Sequence, residues 1–433
     1  MPPKRNHRQK NNKPPISGAG SGAMADCVLP QDIMFNIVTR LPVKSIHRFK
    51  AVCKPWCNLF ATPKFMKSHH AQLSQNPKNQ SLLIYSFFDE KGGNTMSLCK
   101  IEPIEEKPIH LDHPYPKHLY ESDFVGCCNG LVCLAYPMHL HPMPGQWIEL
   151  WNPALNLSKS VPFQNFYLRG PTLVSIGFGY DDEKDDFKLV RIVHVMDRKR
   201  NQGKKAIKGV QVYSANSNCW VTISVGFQFS VLMTKNQAIV NGNPYWVGKV
   251  EEKNVLVMFD VRKMVFKTVP LTGLNLSEGE HAKVPFVDWK GSIAAFICKK
   301  NDERVLSLDV WVFDSLGKIW IKNRSFGPME LKVDRIVQCL KNGGILVGDC
   351  FKDGKVFVLD ADDDEENGVS VKKEIVIDRD VDEGLFQIYG YTESLAYIKG
   401  MEKVKAKPKR GNDWGKKIED FFGFLEGFKH MAN

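Results

Sequence analysis

A chain of 433 residues with 43% hydrophobic and 25% charged side chains has globular proportions and room for one large domain beside a smaller one. No apolar run nears the ~18 residues of a membrane-spanning helix, and the basic N-terminus is not read as a signal peptide, because it lacks the apolar stretch. The net charge of +11 is weighted to the tails: residues 1–22 carry five Lys or Arg and no acid, and residues 401–433 carry eight against five. That leaves +3 for residues 23–400 and weighs against nucleic-acid binding by the folded body.

In chain order, residues 1–25 are rich in Lys, Asn, Pro, Gly and Ser and nearly devoid of large apolar side chains. Burial cannot offset the ordering entropy of such a segment, so a disordered basic tail is expected, solubilising or nuclear-localising. Residues 26–70 read as a helical module. Pro30 and Asp32 suit the opening turn of a helix, and Ile33, Met34, Ile37, Val38 and Leu41 recur at helical spacing. Pro42 breaks that helix. A second is expected from about Val43, with Ile46, Phe49, Val52 and Cys53 on its apolar side. Pro55 opens a third around Trp56, Leu59 and Phe60, and Pro63 a fourth around Phe65 and Met66. So small a module buries too little to stand alone. Its apolar width, with Lys44, His47, Arg48, Lys50 and Lys54 interleaved, reads as a surface made to be covered by a partner.

From residue 81 the period changes. SLLIYSFF (81–88), NGLVCLAY (129–136), AIVNGNPYWVG (238–248), GSIAAFIC (291–298) and GGILVGDC (343–350) are short β-forming runs between turn residues. A longer unit recurs in residues 148–162, 210–223, 255–270, 308–322 and 355–373. Each is an apolar strand ending in a turn starter, at Asn152, Ser214, Asp260, Asp314 and Asp360, followed by a second strand. These side chains can bond the backbone two residues on and close a turn. Trp220, Phe266 and Trp320 hold matching places in three of the second strands. The spacing is that of four-stranded propeller blades. An all-β propeller of about six blades over residues 80–400 is expected, its ring closed by pairing 81–88 with 388–398; a large β-sandwich is the alternative.

Residues 401–433 read as a basic linker followed by an amphipathic segment carrying Ile418, Phe421, Phe422, Leu425 and Phe428. The eleven scattered cysteines are read mostly as buried free thiols of an intracellular protein. No phosphate-binding Gly loop, nucleophile elbow or HExxH is present. Asp360, Asp362 and Asp364 mimic a calcium loop, but Glu365 stands where Gly is needed. The group Asp181, Asp182, Asp185 and Asp186 reads as an exposed hairpin turn, and His139 and His141 as part of a Pro-bounded loop. Neither a metal nor a cofactor is expected.

LPQDIMFNIVTRLPVKSIHRFKAVCKPWCNLFATPKF (29–65) closely resembles the F-box motif of large plant families, with Cys57 standing where Arg is frequent. CNGLVCL (128–134), LWNPALNLSKSVP (150–162), GFGYDDEKDDFKLVRI (177–192) and VQVYSANSNCW (210–220) resemble the F-box-associated β-propeller of the same families. The resemblance implies a non-catalytic substrate receptor of an SCF-type ubiquitin ligase, in which the F-box docks on a Skp-family adaptor tied to a cullin. The propeller would hold a target protein for ubiquitination and degradation, in the nucleus, the cytoplasm or both. By position, the adaptor-facing residues are Leu29, Pro30, Ile33, Ile37, Leu41, Pro42, Ile46, Val52 and Trp56, while Phe49, Leu59 and Phe60 hold the module's own core. Candidate cargo loops are 137–147, 196–207 and 271–285. The second carries Arg198, Lys199, Arg200, Lys204 and Lys205, suited to an acidic or phosphorylated partner. Two other readings are weighed: an F-box scaffold outside a ligase, and a propeller that meets nucleic acid through its basic tails.

Overall fold

The structure, a computed structural model, describes residues 30–86, 95–101, 108–114, 123–135, 148–162, 172–196, 205–232, 238–274, 276, 284–300, 306–329, 335–339, 345–349, 355–360, 370–376 and 386–404. The tail expected at 1–25 and the segment from 405 onward lie outside these residues, as do His139, His141 and the acidic run after Asp360.

By its contacts the chain divides after Val38. The first unit contributes α1 (Gln31–Val38), whose Met34 amide donates to the Pro30 carbonyl at 3.0 Å. The second unit opens with α2 (Val43–Phe49), α3 (Lys54–Phe60) and α4 (Pro63–Gln75). Proline sets each start: Pro42 is the N-cap of α2, Pro55 sits in the first turn of α3, and Pro63 opens α4. Thr62 caps α4 by accepting from the Phe65 amide at 3.2 Å. α4 continues past the boundary expected at residue 70.

The described strands of this unit form six antiparallel sheets of four or five strands. From the inner strand outward, sheet A holds Phe386–Thr392, Gln80–Ser86, Thr95–Lys100 and Ile109–His110. Sheet B holds Asp123–Cys128, Leu131–Ala135, Ile148–Asn152, Leu157–Ser160 and Glu402–Lys403. Sheet C holds Thr172–Asp181, Asp186–Met196, Lys205–Ser214 and Cys219–Ile223. In sheet D, Ser230–Val231 and Ala238–Val240 both pair with Asn243–Val250, followed by Lys253–Asp260 and Val265–Pro270. Sheet E holds Phe286–Trp289, Ser292–Lys300, Leu306–Asp314 and Ile319–Met329. Sheet F holds Arg335–Cys339, Ile345–Asp349, Lys355–Asp360 and Ser370–Val376. The sheets touch in cyclic order from A to F and back to A through their inner strands, with Asn243–Val250 making the contact of sheet D to sheet C, which makes a β-propeller and sets the sandwich alternative aside. The pairing expected between the first and last β runs is present, with Leu83 opposite Tyr389 and Ile84 opposite Ile388.

The recurring turn starters do what their side chains allow, one residue further along than expected. Asn152 accepts from the Leu155 amide, Ser214 from Ser217 and Asp260 from Lys263, each three residues on. Asp314 takes both the second and third amides. The fourth residue after each starter must turn left-handed: Asn156, Asn218, Met264 and Lys318 all have φ between 53° and 56°. The aromatic positions tie neighbouring sheets together. The Trp220 indole donates to the Pro162 carbonyl, just after the Leu157–Ser160 strand of sheet B, and the Trp320 indole to the carbonyl of Pro270, the last residue of the outer strand of sheet D, both at 2.7 Å. Phe266, in the same place, has no N–H to give.

Two expectations need correcting. The acidic group at 181–186 is only half surface: Asp181 and Asp186 are buried. Asp181 pairs with the buried Lys188 at 2.7 Å, and Lys188 also donates to the Val261 carbonyl of sheet D at 2.7 Å. A carboxylate survives there because it is fully partnered. The cysteines are also less buried than expected. Among those described, Cys99 and Cys133 are buried, whereas Cys53, Cys57, Cys219 and Cys298 are exposed.

After Thr392 the chain crosses sheet B as a strap. The buried Asn152 amide donates to the Ser394 and Ala396 carbonyls at 3.0 and 2.8 Å, and Glu402–Lys403 then joins the outer edge of sheet B. Gly130, at φ 73°, leaves room for the strap, since a side chain there would run into Ser394.

Candidate functional site

α2, α3 and α4 are held together by a ladder of rings. Phe49 packs on Trp56 with centroids 5.4 Å apart, Trp56 on Phe60 at 5.8 Å, Phe60 on Phe65 at 4.9 Å and Phe65 on His69 at 5.8 Å. Phe60, Phe65 and His69 are fully buried; Phe49, Trp56 and Leu59 are half-buried. His69 closes the ladder on the Leu-Pro turn, its Nε2 donating to the Leu41 carbonyl at 2.8 Å. Burial pushes its imidazole below the ordinary value, partly opposed by that bond, so the ring is neutral near pH 7.

Of the residues expected to face an adaptor, Pro30, Ile33 and Ile37 are exposed on the first unit. On the second, Pro42 and Val52 are exposed, and Leu41 and Trp56 are half-buried. Val52 shows 65% of its surface, and Ile33 and Ile37 show 47% and 48%. Leu29 lies outside the described residues. Ile46 is corrected: it is 0% exposed and belongs to the module's own core. The apolar stripe of α2 was broader than one docking face needs, and Ile46 with Val43 fills its inner side. Sequence reasoning missed His69 because its partner at Leu41 lies 28 residues away and nothing local marks the pairing.

The module's charge is more segregated than the total over 23–400 reveals. Between Ile33 and Phe88 there is no Asp or Glu, against eight Lys or Arg. Arg40, Lys44, Arg48, Lys54, Lys64 and Lys67 are all exposed. Residues 89–400 are correspondingly net acidic. On the second unit, a surface of exposed cations with the exposed Val52 favours an acidic partner and speeds its approach.

Among the described residues, polar contacts join α2 and α4 to the propeller. Lys67 donates to the Asp182 carbonyl at 2.7 Å, and His70 Nδ1 lies 3.3 Å from the Glu393 carbonyl. The Glu393 carboxyl, raised by burial, accepts from the Val43 amide beside Lys44 and Lys100. These contacts fall on the face of the ring that carries the tight turns, including Asn129-Gly130, Asp181–Asp186, Asn241-Gly242 and Lys290-Gly291. The connections bearing the three candidate cargo loops leave from the opposite ends of their strands, after Ala135, Met196 and Pro270. The loop residues Arg198, Lys199, Arg200 and Lys204 lie outside the described residues, as does the Lys205 side chain.

Among the described residues, Cys133 and Glu149 are buried inside sheet B. Burial, then the Glu149 charge, push the Cys133 thiol well above its usual value. Burial also raises Glu149, against a 2.6 Å hydrogen bond from the Ser160 hydroxyl. A protonated, enclosed thiol is inert.

The F-box associated beta propeller domain family matches residues 84–398, and the F-box domain family matches residues 27–68. An F-box protein of Arabidopsis thaliana is 25% identical over 77% of this chain and 85% of its own length. An F-box/kelch-repeat protein of the same plant is 25% identical over 67% of this chain and 77% of its own. For a third Arabidopsis F-box relative, 26% identical over 69% of this chain, the match spans 65% of the relative. Among solved structures, Kuenenia stuttgartiensis hydrazine synthase aligns over 75% of this chain and 48% of its own at 12% identity, with a TM-score of 0.33, a level that carries no argument.

Proposed function

The chain belongs to the F-box-associated β-propeller family and carries an F-box, and from that premise we propose that it is the substrate-recognition subunit of an SCF-type ubiquitin ligase. The observation that carries the docking half is the large apolar side chains left in water, Ile33, Ile37 and Val52, on a helical module too small to need so wide an apolar surface. Ile33 and Ile37 with Pro30 on the first unit, and Val52 with Leu41, Pro42 and Trp56 and the exposed cations of α2 to α4 on the second, meet a Skp-family adaptor.

The reaction asks no acid, base or nucleophile of this chain. Its contribution is proximity, holding a target lysine within reach of a thioester made elsewhere. The target is held on the loop face, opposite the face that carries α4, where 137–147, 196–207 and 271–285 leave the ring. The complex works in the nucleus, the cytoplasm or both.

The test is adaptor capture by the full chain carrying Leu41→Ala and Pro42→Ala. Capture is expected to fall by tenfold or more, in the range of interface hot spots, while the near-UV dichroism of the propeller is retained. Unchanged capture by a folded double variant overturns the assignment. Cullin recovered with the adaptor supports a ligase; adaptor alone supports a scaffold outside one. Targets are proteins that accumulate when this chain is absent and the proteasome is active.

A further inference from the structure

Cys53 and Cys57 share the start of α3. The Cys57 amide donates to the Cys53 carbonyl at 3.0 Å, which fixes them one helical turn apart on one side of the helix. Both are exposed. Cys53 is the N-cap, with extended backbone at φ −156° and ψ 157° and no capping hydrogen bond from its side chain, so its thiol is not committed to the helix. Lys50 stands within electrostatic reach of Cys57: burial lowers the Lys50 amine and the Cys57 charge acts against that. The charged residues closest to the pair along the chain, Arg48, Lys50 and Lys54, are all cationic, Arg48 and Lys54 are exposed, and no carboxylate occurs between residues 33 and 88. Accessible, electropositive positions beside a second thiol are where redox-active cysteines occur. The other exposed thiols differ: Cys219 lies 3.1 Å from the Ser217 hydroxyl, and neither Cys219 nor Cys298 has another exposed cysteine within several residues.

The pair adjoins two of the docking residues in the chain: Cys53 follows the exposed Val52 and Cys57 follows the half-buried Trp56. Resting on the docking reading above, we propose that Cys53 and Cys57 form a reversible dithiol–disulfide site through which a peroxide controls adaptor binding. The peroxide takes two electrons from the Cys57 thiol: its O–O bond breaks, sulfur becomes a sulfenic acid and one water leaves. The Cys53 thiol attacks that sulfur, the S–S bond forms, the S–O bond breaks and a second water leaves. A later dithiol reductant returns both electrons.

Helical residues four apart hold their Cβ atoms about 5–6 Å from each other, whereas a disulfide needs about 3.8 Å. Closing the bond therefore draws residue 53 inward and distorts the first turn of α3. That displaces Val52 and lifts Trp56 from between Phe49 and Phe60. A bond formed under such strain is readily reduced, as a reversible site requires.

The test treats the reduced full chain with hydrogen peroxide, then reads intact mass, the linked peptide and adaptor affinity. The expected result is a loss of two hydrogens mapped to a Cys53–Cys57 link, with affinity at least about tenfold weaker and restored by a dithiol reductant. Cys57→Ser and Cys53→Ser each bind adaptor normally, form no link and keep their affinity in peroxide. No link at a dose that oxidises Cys219 or Cys298, or a link that leaves affinity unchanged, overturns the proposal. Failure of the reduced wild-type chain to bind adaptor overturns the docking reading instead, and the link is then judged by mass alone.

Discussion

From Leu41 to Gln75 the second unit is held by rings packed one on another and contains no carboxylate. From Asp181 to Asp309 it takes carboxylates inside its sheets and satisfies them there. The helical module keeps cations and apolar side chains outward, which suits a surface to be covered. The propeller spends its buried charge on joining sheet to sheet, as Lys188 does between Asp181 and the Val261 carbonyl, which suits a scaffold that holds loops in place. Stability in one region and availability in the other come from opposite uses of polar groups.

The largest test of that contrast is Asp181→Ala, which leaves the buried Lys188 ammonium with a single carbonyl partner. A loss of about 3 kcal/mol or more is expected in denaturant unfolding of the full chain; a loss below about 1 kcal/mol removes the paired charge from the propeller's cohesion. A smaller effect is expected in acid. Burial alone would raise the Asp309 carboxyl, but bonds from Lys299, Lys322 and Ser325 bring it down to about 2 from an ordinary 3.8. Its contribution is thus complete above pH 3.8 and is lost as the pH falls toward 2. The exposed lysines screen it to the order of 1 kcal/mol. Asp309→Asn should flatten that part of the pH–stability curve, and an unchanged slope counts against the assignment. The smallest effect is Trp320→Phe, which removes one indole N–H from the Pro270 carbonyl and makes sheet E like sheet D at Phe266. About 1 kcal/mol is expected in denaturant unfolding from the lost hydrogen bond, apart from the packing lost with the smaller ring.

Much of the propeller was legible because its signals are local. Asn152, Ser214, Asp260 and Asp314 each bond backbone within three residues, so the turn can be read from the residues that make it. The seam between 80–86 and 386–392 was legible for another reason: a ring with two unpaired runs has an evident way to close. The interior polar chemistry was not. Asp181 resembles its exposed neighbour Asp182 in sequence, and its buried partner Lys188 is itself tied to the Val261 carbonyl, 80 residues on from Asp181. In the module, the pattern gave the apolar side of α2 but not its division, so Ile46 was placed outward with Val52 although one is enclosed and the other open. The strap was hidden too, since 393–401 has no period and is held by residues far earlier in the chain, Asn152, Lys159 and His70 among them.

The seam has a consequence in time. The inner strand of sheet A, Phe386–Thr392, is made 300 residues after its partner Gln80–Ser86. At ribosomal rates of about 5–20 residues per second, roughly 15–60 s separate them. Throughout that interval α2–α4 are complete, while the edge of Gln80–Ser86 that will receive the last strand stays open. A nascent chain can therefore offer its docking helices before it has a cargo platform, and an adaptor arriving early would meet a receptor still under construction.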